Sequence, residues 1–357
     1  MRLWRHHDCE SKVYENIVRA LAEAQLRQEA REPMGTVILG TGSALPKRIL
    51  TNQELEEMVD TSDEWIRSRT GIGTRRISGR GEETFRLASK AAGQALAEAG
   101  VAPEEIDLVV VGTISSHMLM PSTACYVQKE LGLTNAFAFD LNAACSGFLY
   151  GLDLADHYIR ADHNKKILLI GAETLSSRTN WQDRNTCILF GDGAGAAVFA
   201  HREGETGIIG AKCLSDGGLW KLLYMHAAPS CNPEIEQEDN PGVHILMEGR
   251  EVFKHAVRAM EGAILDLLER HQVSLDDVDL FIPHQANIRI LNKLVSRLKF
   301  PEKKVFINVH KYGNTSAASI PIALDEAKRA GNLKSGDLLL ICSFGGGFTW
   351  GAALIQY

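Results

Sequence analysis

The chain has 357 residues, 45% of them hydrophobic, and a formal net charge of -7. That length buries a large core and suffices for two α/β halves, and the acidic balance, with Lys and Arg spread along the chain, excludes the basic footprint of a nucleic-acid binder. Seven cysteines, odd in number and without C-x-x-C spacing, point to reduced thiols in a cytoplasmic protein with no metal site, and no apolar run reaches the roughly 18 residues that span a bilayer.

Residues 1–34 are expected as an N-terminal extension, with an amphipathic pattern through Val13, Ile17 and Leu21 that stops at Pro33. The globular pattern opens at "GTVILGTG" and is expected to divide into halves at 35–206 and 207–357. The division rests on self-similarity. "GTVILGTG" (35–42) is echoed by "GIIGAKCL" (207–214), a shift of 172, and "EEIDLVVVG" (104–112) by "LDDVDLFIP" (275–283). "AFDLNAACSG" (138–147) pairs in the same way with "VFINVHKYGN" (305–314), and "GDGAGAAVFA" (191–200) with "GGGFTWGAALI" (345–355). Apolar residues spaced by three and four predict helices over 84–100 and 252–271. "DLVVVG", "KKILLIGAE" and "DLLLICSFGGG" read as strands covered on both faces. Alternating strands and helices make the fold α/β.

Three segments stand out chemically. "FDLNAACSGFLYGL" (139–152) sets Cys145 among the smallest residues, between a strand and a helix pattern, where the unpaired N–H groups and dipole of the helix start favour a thiolate. "IPHQANIRIL" (282–291) places His284 just past an apolar strand, and "GNTSAAS" (313–319) places Asn314 ahead of a helix, where it also suits an N-cap. Taken singly, each has a plain structural reading.

Together, "DLNAACSGF", "PHQANIRI", "GNTSAAS" and "FGGGFTWG", supported by "TSDEWIRSRTGIGTRR" and "FGDGAGAA", resemble in order and spacing the β-ketoacyl-acyl carrier protein synthase III family of the thiolase superfamily. The resemblance runs from about residue 35 to residue 357. It implies a thiolase-like fold of two pseudo-duplicated halves in a five-layered αβαβα stack. It also implies a decarboxylative Claisen condensation of an acyl-CoA primer with malonyl-acyl carrier protein (malonyl-ACP), initiating fatty acid biosynthesis, with no cofactor beyond these substrates. By the resemblance Cys145 accepts the acyl group and His284 and Asn314 complete the triad. The backbone N–H groups of Cys145 and Gly346 form an oxyanion hole, and the His284 Nε2 and Asn314 amide donors meet the enolate left by decarboxylation. Trp65 and Arg184 bracket the CoA adenine, Thr61 and Arg69 contact CoA, and Asn287 holds the pantetheine arm. Lys254 and Arg289 steer an acidic carrier protein. Met120 and Phe253 belong to the acyl pocket, Met120 reaching into the partner's pocket of a homodimer. Met120 replaces a frequent Phe, and the 213–242 segment is long; both predict primers larger than acetyl.

Rival readings are a related condensing enzyme of specialised metabolism, a hydrolase with a nucleophile elbow at "AACSG", and a thiolase that uses Cys342 as a second cysteine. "GDGAGA" imitates a dinucleotide fingerprint, but strand-like "AAVFA" follows it where a helix is required.

Overall fold

The computed structural model describes residues 35–228 and 242–357. The predicted extension over 1–34, and the stretch 229–241 of the long segment, lie outside the described residues. The first strands and helices are β1 (Thr36–Ala44), β2 (Arg48–Thr51), α1 (Asn52–Glu56), α2 (Asp63–Thr70), β3 (Thr74–Ile77), α3 (Thr84–Ala99), β4 (Leu108–Gly112), α4 (Thr123–Leu131) and β5 (Phe137–Leu141). Then come α5 (Gly147–Ala161), β6 (Lys166–Thr174), α6 (Arg184–Cys187), β7 (Asp192–His201), β8 (Gly207–Ser215), β9 (Leu223–Met225), β10 (Ile245–Met247) and α7 (Gly249–His271). The chain closes with β11 (Leu280–Pro283), α8 (Ile288–Leu298), α9 (Val309–Tyr312), α10 (Ser319–Arg329), β12 (Leu338–Gly345) and β13 (Thr349–Gln356).

Two sheets carry the architecture. One runs β5-β4-β6-β7-β1 and the other β11-β12-β13-β8, and a single parallel pairing, Thr36 with Gly207, joins them. Val305 lies parallel beside Phe281 at the free edge of β11, as Phe139 of β5 lies beside Val110 of β4. The order and the strand directions are therefore the same in both sheets.

The apolar runs sort by strand alternation. Val109, Val111, Leu168 and Ile170 point outward into a core with Leu87, Ala88, Ala91 and Ala95 of α3. Leu108, Val110, Ile167 and Leu169 point inward and meet Phe148 and Leu152 of α5 and Ile320 and Leu324 of α10. From the second sheet Leu339 and Ile341 enter the same central layer, while Leu338, Leu340 and Cys342 face α7 and α8 on the far side. Each such fully buried aliphatic side chain contributes on the order of 1.5–3 kcal/mol. Five layers result: α3 and α4, sheet, α5 and α10, sheet, α7 and α8. This is the thiolase-like α/β stack.

One repeat pairing needs correction. The strand of "VFINVHKYGN" does match β5, but the short helix α9 intervenes before the next turn. The counterpart of Ala144 is consequently Ser316, 172 residues on: Ala144 (φ 46°) and Ser316 (φ 49°) both take left-handed backbone, each opening a 3-10 turn that leads into a central helix.

Among the described residues no helix is long and apolar enough to cross a membrane, and Cys125, Cys145, Cys187, Cys213 and Cys342 are unpaired.

Candidate active site

Cys145 sits in the turn Ala144–Ser146 between β5 and α5, buried, and α5 starts without a side-chain cap. The turn is held from the second half of the chain. Ser146 Oγ donates to the Thr349 carbonyl (3.1 Å), and Thr349 Oγ1 lies between the carbonyls of Ala143 (2.8 Å) and Gly346 (3.1 Å). Gly345 packs directly on the Cys145 backbone. A Cβ there would come 2.6 Å from the Cys145 nitrogen and 3.1 Å from its Cβ. Gly345→Ala is therefore expected to push the turn aside, costing about 1–3 kcal/mol of stability and at least a tenfold loss in acyl loading. A melting temperature and a loading rate both equal to wild type would show that the turn yields freely.

His284 follows β11, with its N–H on the Cys342 carbonyl (2.8 Å). Its Nδ1 lies 2.6 Å from Ser319 Oγ, and that oxygen also accepts from the Gln285 N–H (3.4 Å). When the Ser319 hydroxyl donates to Nδ1, the neutral ring carries its proton on Nε2. Burial holds His284 down to about 4, so at neutral pH it is an uncharged N–H donor.

Asn314 is pinned by its backbone N–H on the Leu189 carbonyl (2.8 Å) and by its carbonyl on the Gly191 N–H (3.0 Å). Its Oδ1 accepts from the Ser316 N–H (2.8 Å). With the oxygen engaged as a cap, the NH₂ is the group left to donate to a ligand.

Cys145, His284, Asn314 and Gly346 all line one cavity of about 1210 Å³, with Trp65, Arg69, Phe253, Lys254, Asn287 and Arg289 also on its walls. Asn287 caps α8, its Oδ1 accepting from the Arg289 N–H (2.8 Å). Lys254 is exposed and paired with Glu251 (2.7 Å), and Arg289 is exposed. Thr61 and Arg184 are outside the lining. Thr61 Oγ1 is buried without a partner. The Arg184 guanidinium lies 5.0 Å over the Trp65 ring and donates to the Asp60 carbonyl (2.9 Å), with Arg69 at 5.9 Å from the same ring. Met120 is 85% exposed, between Leu119 at 93% and Pro121, and lines no part of this chain's own cavity.

Two expectations change. The helix start was expected to favour the Cys145 thiolate, but burial dominates: with the Glu173 charge also opposing ionisation and Ser316 only partly offsetting it, the thiol is pushed up to about 12. Cys145 rests as a thiol. Cys342 does not reach the cavity; it packs under α7 with its Sγ 3.6 Å from Met260 Sδ, so the thiolase reading loses its support. Thr349, Gly345, Ser319 and Ser316 lie within the quoted stretches "FGGGFTWG" and "GNTSAAS", but sequence reasoning missed which side chains they hold.

A repeated pair of sheets around a central helical layer, with Cys145, a neutral His284 and the Asn314 amide in a single cavity, defines an enzyme of the thiolase-like class. The family description "3-Oxoacyl-[acyl-carrier-protein (ACP)] synthase III" matches residues 139–217, and its C-terminal counterpart matches 268–357. Beta-ketoacyl-[acyl-carrier-protein] synthase III of Desulfotalea psychrophila is 57% identical over 324 residues, covering 91% of this chain and 100% of that protein. The crystal structure of 3-oxoacyl-[acyl-carrier-protein] synthase III from Aquifex aeolicus superposes with a TM-score of 0.85 at 50% identity, covering 90% and 100% of the two chains. The Thermus thermophilus structure of the same name does so with a TM-score of 0.84 at 43%, covering 90% and 99%. The chain belongs to the β-ketoacyl-[acyl-carrier-protein] synthase III family.

Proposed function

We propose that the protein condenses an acyl-CoA primer with malonyl-ACP, releasing CoA and carbon dioxide, and so starts fatty acid chains in the cytosol. The observation that carries this reading is the convergence of Cys145, His284 and Asn314 on one cavity. In the first half-reaction Cys145 sulfur attacks the thioester carbonyl, and the backbone N–H groups of Cys145 and Gly346 stabilise the oxyanion. In the second, malonyl-ACP loses carbon dioxide while the His284 Nε2–H and the Asn314 NH₂ hold the enolate oxygen, and the enolate carbon attacks the acyl-cysteine. Both donors are uncharged and need no proton exchange to act, and the chemistry asks for no metal or resident cofactor.

The adenine of CoA is read as stacking on Trp65. A base between two planes needs about 7 Å, twice the contact distance of stacked atoms, so the Arg184 guanidinium at 5.0 Å swings out to admit it. Arg69 and Thr61 follow as contacts to the nucleotide, Asn287 as a contact to pantetheine, and Lys254 and Arg289 as the docking charges for the carrier protein. The two halves, 35–206 and 207–357, supply the nucleophile and the His/Asn pair respectively.

A homodimer is supported by an unpaired edge at β5, with Phe137 exposed there and Met118, Leu119 and Met120 exposed on the loop ahead of α4. Such a patch and edge call for a partner. If Met120 enters the partner's acyl pocket, kcat/KM should rise from acetyl-CoA to butyryl-CoA, at about 0.8 kcal/mol per buried methylene, and Met120→Phe should reverse the trend. Acetyl-CoA remaining the best primer in both proteins would remove Met120 and the long segment from specificity. The proposed reaction itself is tested by intact mass: a panel of acyl-CoAs should each add one acyl group, which malonyl-ACP then discharges as β-ketoacyl-ACP. No mass shift with any primer would sink it.

A further inference from the structure

The mechanism above leaves unused a buried carboxyl close to Cys145. Glu173, fully buried near the end of β6, receives the Ser115 hydroxyl, the Thr113 hydroxyl (3.3 Å) and the Ile114 N–H (3.2 Å). The Ser316–Ala318 turn packs against both the Cys145 turn and β6, which brings the Ser316 hydroxyl near enough to the Glu173 carboxyl and the Cys145 thiol to influence both. Ser316 Oγ is itself buried and holds no full hydrogen bond, so it is free to turn to either neighbour. Its left-handed backbone is fixed by the Ser316 N–H on Asn314 Oδ1. A thiol, an unpartnered hydroxyl and a carboxyl thus lie in series.

We propose that Glu173 takes the proton of the Cys145 thiol during acyl loading, through the Ser316 hydroxyl, and returns it when condensation frees the sulfur. The S–H bond breaks as sulfur attacks the thioester carbonyl; Ser316 Oγ receives that proton and passes its own to Glu173. The CoA thiolate that leaves is protonated by solvent at the open end of the cavity. When the enolate carbon displaces the cysteine, the sulfur departs as a thiolate and recovers the stored proton by the reverse path, leaving thiol and carboxylate as at the start.

The acid–base balance favours this route over His284. Burial raises Glu173 to about 7 despite its donors, and lowers His284 to about 4, making the imidazole about a thousandfold weaker as a base. The titratable group facing Glu173 is the Cys145 thiol. On the neighbouring strand β7, the Asp192 carboxylate is turned to the N–H groups of Ser176 (2.8 Å) and Ser78 (2.7 Å).

The inference rests on the reading of Cys145 as the acyl acceptor, and its test is kept separate from that reading. Site-resolved alkylation of Cys145 by iodoacetamide needs no substrate. In wild type its rate should pass through an inflection near pH 7; in Glu173→Gln and Ser316→Ala the inflection should vanish and the rate at pH 7.5 should fall about tenfold or more. Glu173→Asp, which keeps a carboxylate, should keep an inflection. Loading from acyl-CoA should fall about 100-fold in Glu173→Gln, while malonyl-ACP decarboxylation stays within a few-fold of wild type. An unchanged alkylation profile in Glu173→Gln overturns the proposal, as does a parallel loss of decarboxylation, which marks a merely structural role. If Glu173→Gln fails to fold, Ser316→Ala decides by the same profile. Failure of wild type to load any acyl-CoA would count against the condensing reaction and leave the alkylation result standing.

Discussion

Cys145→Ala is expected to abolish covalent acylation, with loss of condensation on the order of 10⁴-fold or more, while Cys342→Ala stays within about threefold of wild type. Cys145 is the cysteine on the cavity wall, on a turn whose backbone is clamped by Thr349 and Gly345. Cys342 shares its buried character but faces the outer core and Met260, and burial holds its thiol far above the ordinary range. Its removal costs packing, not chemistry. Intact mass after incubation with acyl-CoA checks both variants, and stoichiometric acylation surviving in Cys145→Ala would reassign the nucleophile.

The second large effect is a split between half-reactions. His284→Ala and Asn314→Ala should lose malonyl decarboxylation by about 100- to 1,000-fold, a few kcal/mol for each missing donor, and lose acyl loading less than tenfold. Asn314→Asp is the sharper probe. It keeps an oxygen to accept from the Ser316 N–H, so the turn survives, but it presents negative charge where the enolate forms. Equal loss in both half-reactions would mean general damage to the site. The pH dependence has a definite sign. His284 has a folded-state value lowered from 6.5 to about 4, so it stays neutral across the working range. Stability linked to it is intact above 6.5 and is lost as pH falls through about 4. The decarboxylation rate of malonyl-ACP should accordingly show no inflection from His284 between pH 5 and 8, and a midpoint near 6.5 would show that the imidazole titrates normally.

The three central side chains were legible because their stretches, each plain when taken singly, match one family in order and spacing. What orients them was not. Thr349 reaches the Cys145 turn across 206 positions and Ser319 reaches His284 across 35, and no local pattern announces either pairing. The thiolate expectation failed for a related reason, since a helix start can be read from sequence but the depth of burial around a sulfur cannot. Trp65 and Arg184 were placed together correctly as neighbours, yet their spacing, which decides whether a base fits, belongs to tertiary packing. The two α/β halves were readable because their strands are apolar on both faces and recur in the same order; the five-layered stack came with the resemblance. The repeat misled once, where α9 inserts residues into the second copy ahead of Ser316, so that the strand pairing of 138 with 305 does not carry through to the turn.

That left-handed turn occurs twice, at Ala144 beside the nucleophile and at Ser316, where its neighbour Ala317 has no reactive group. A non-glycine residue in this region costs of order 1 kcal/mol or more, and at an active site such a cost invites a catalytic explanation. Here both copies border the same cavity, so the backbone does not single out the cysteine. A strand that ends inside the stack and must reverse into a central helix takes this backbone whether or not chemistry follows, so the conformation belongs to the junction. By the same reasoning, replacing the sulfur with a hydroxyl in Cys145→Ser should leave the bend and the melting temperature in place while the nucleophile weakens, separating what the architecture provides from what the cysteine adds.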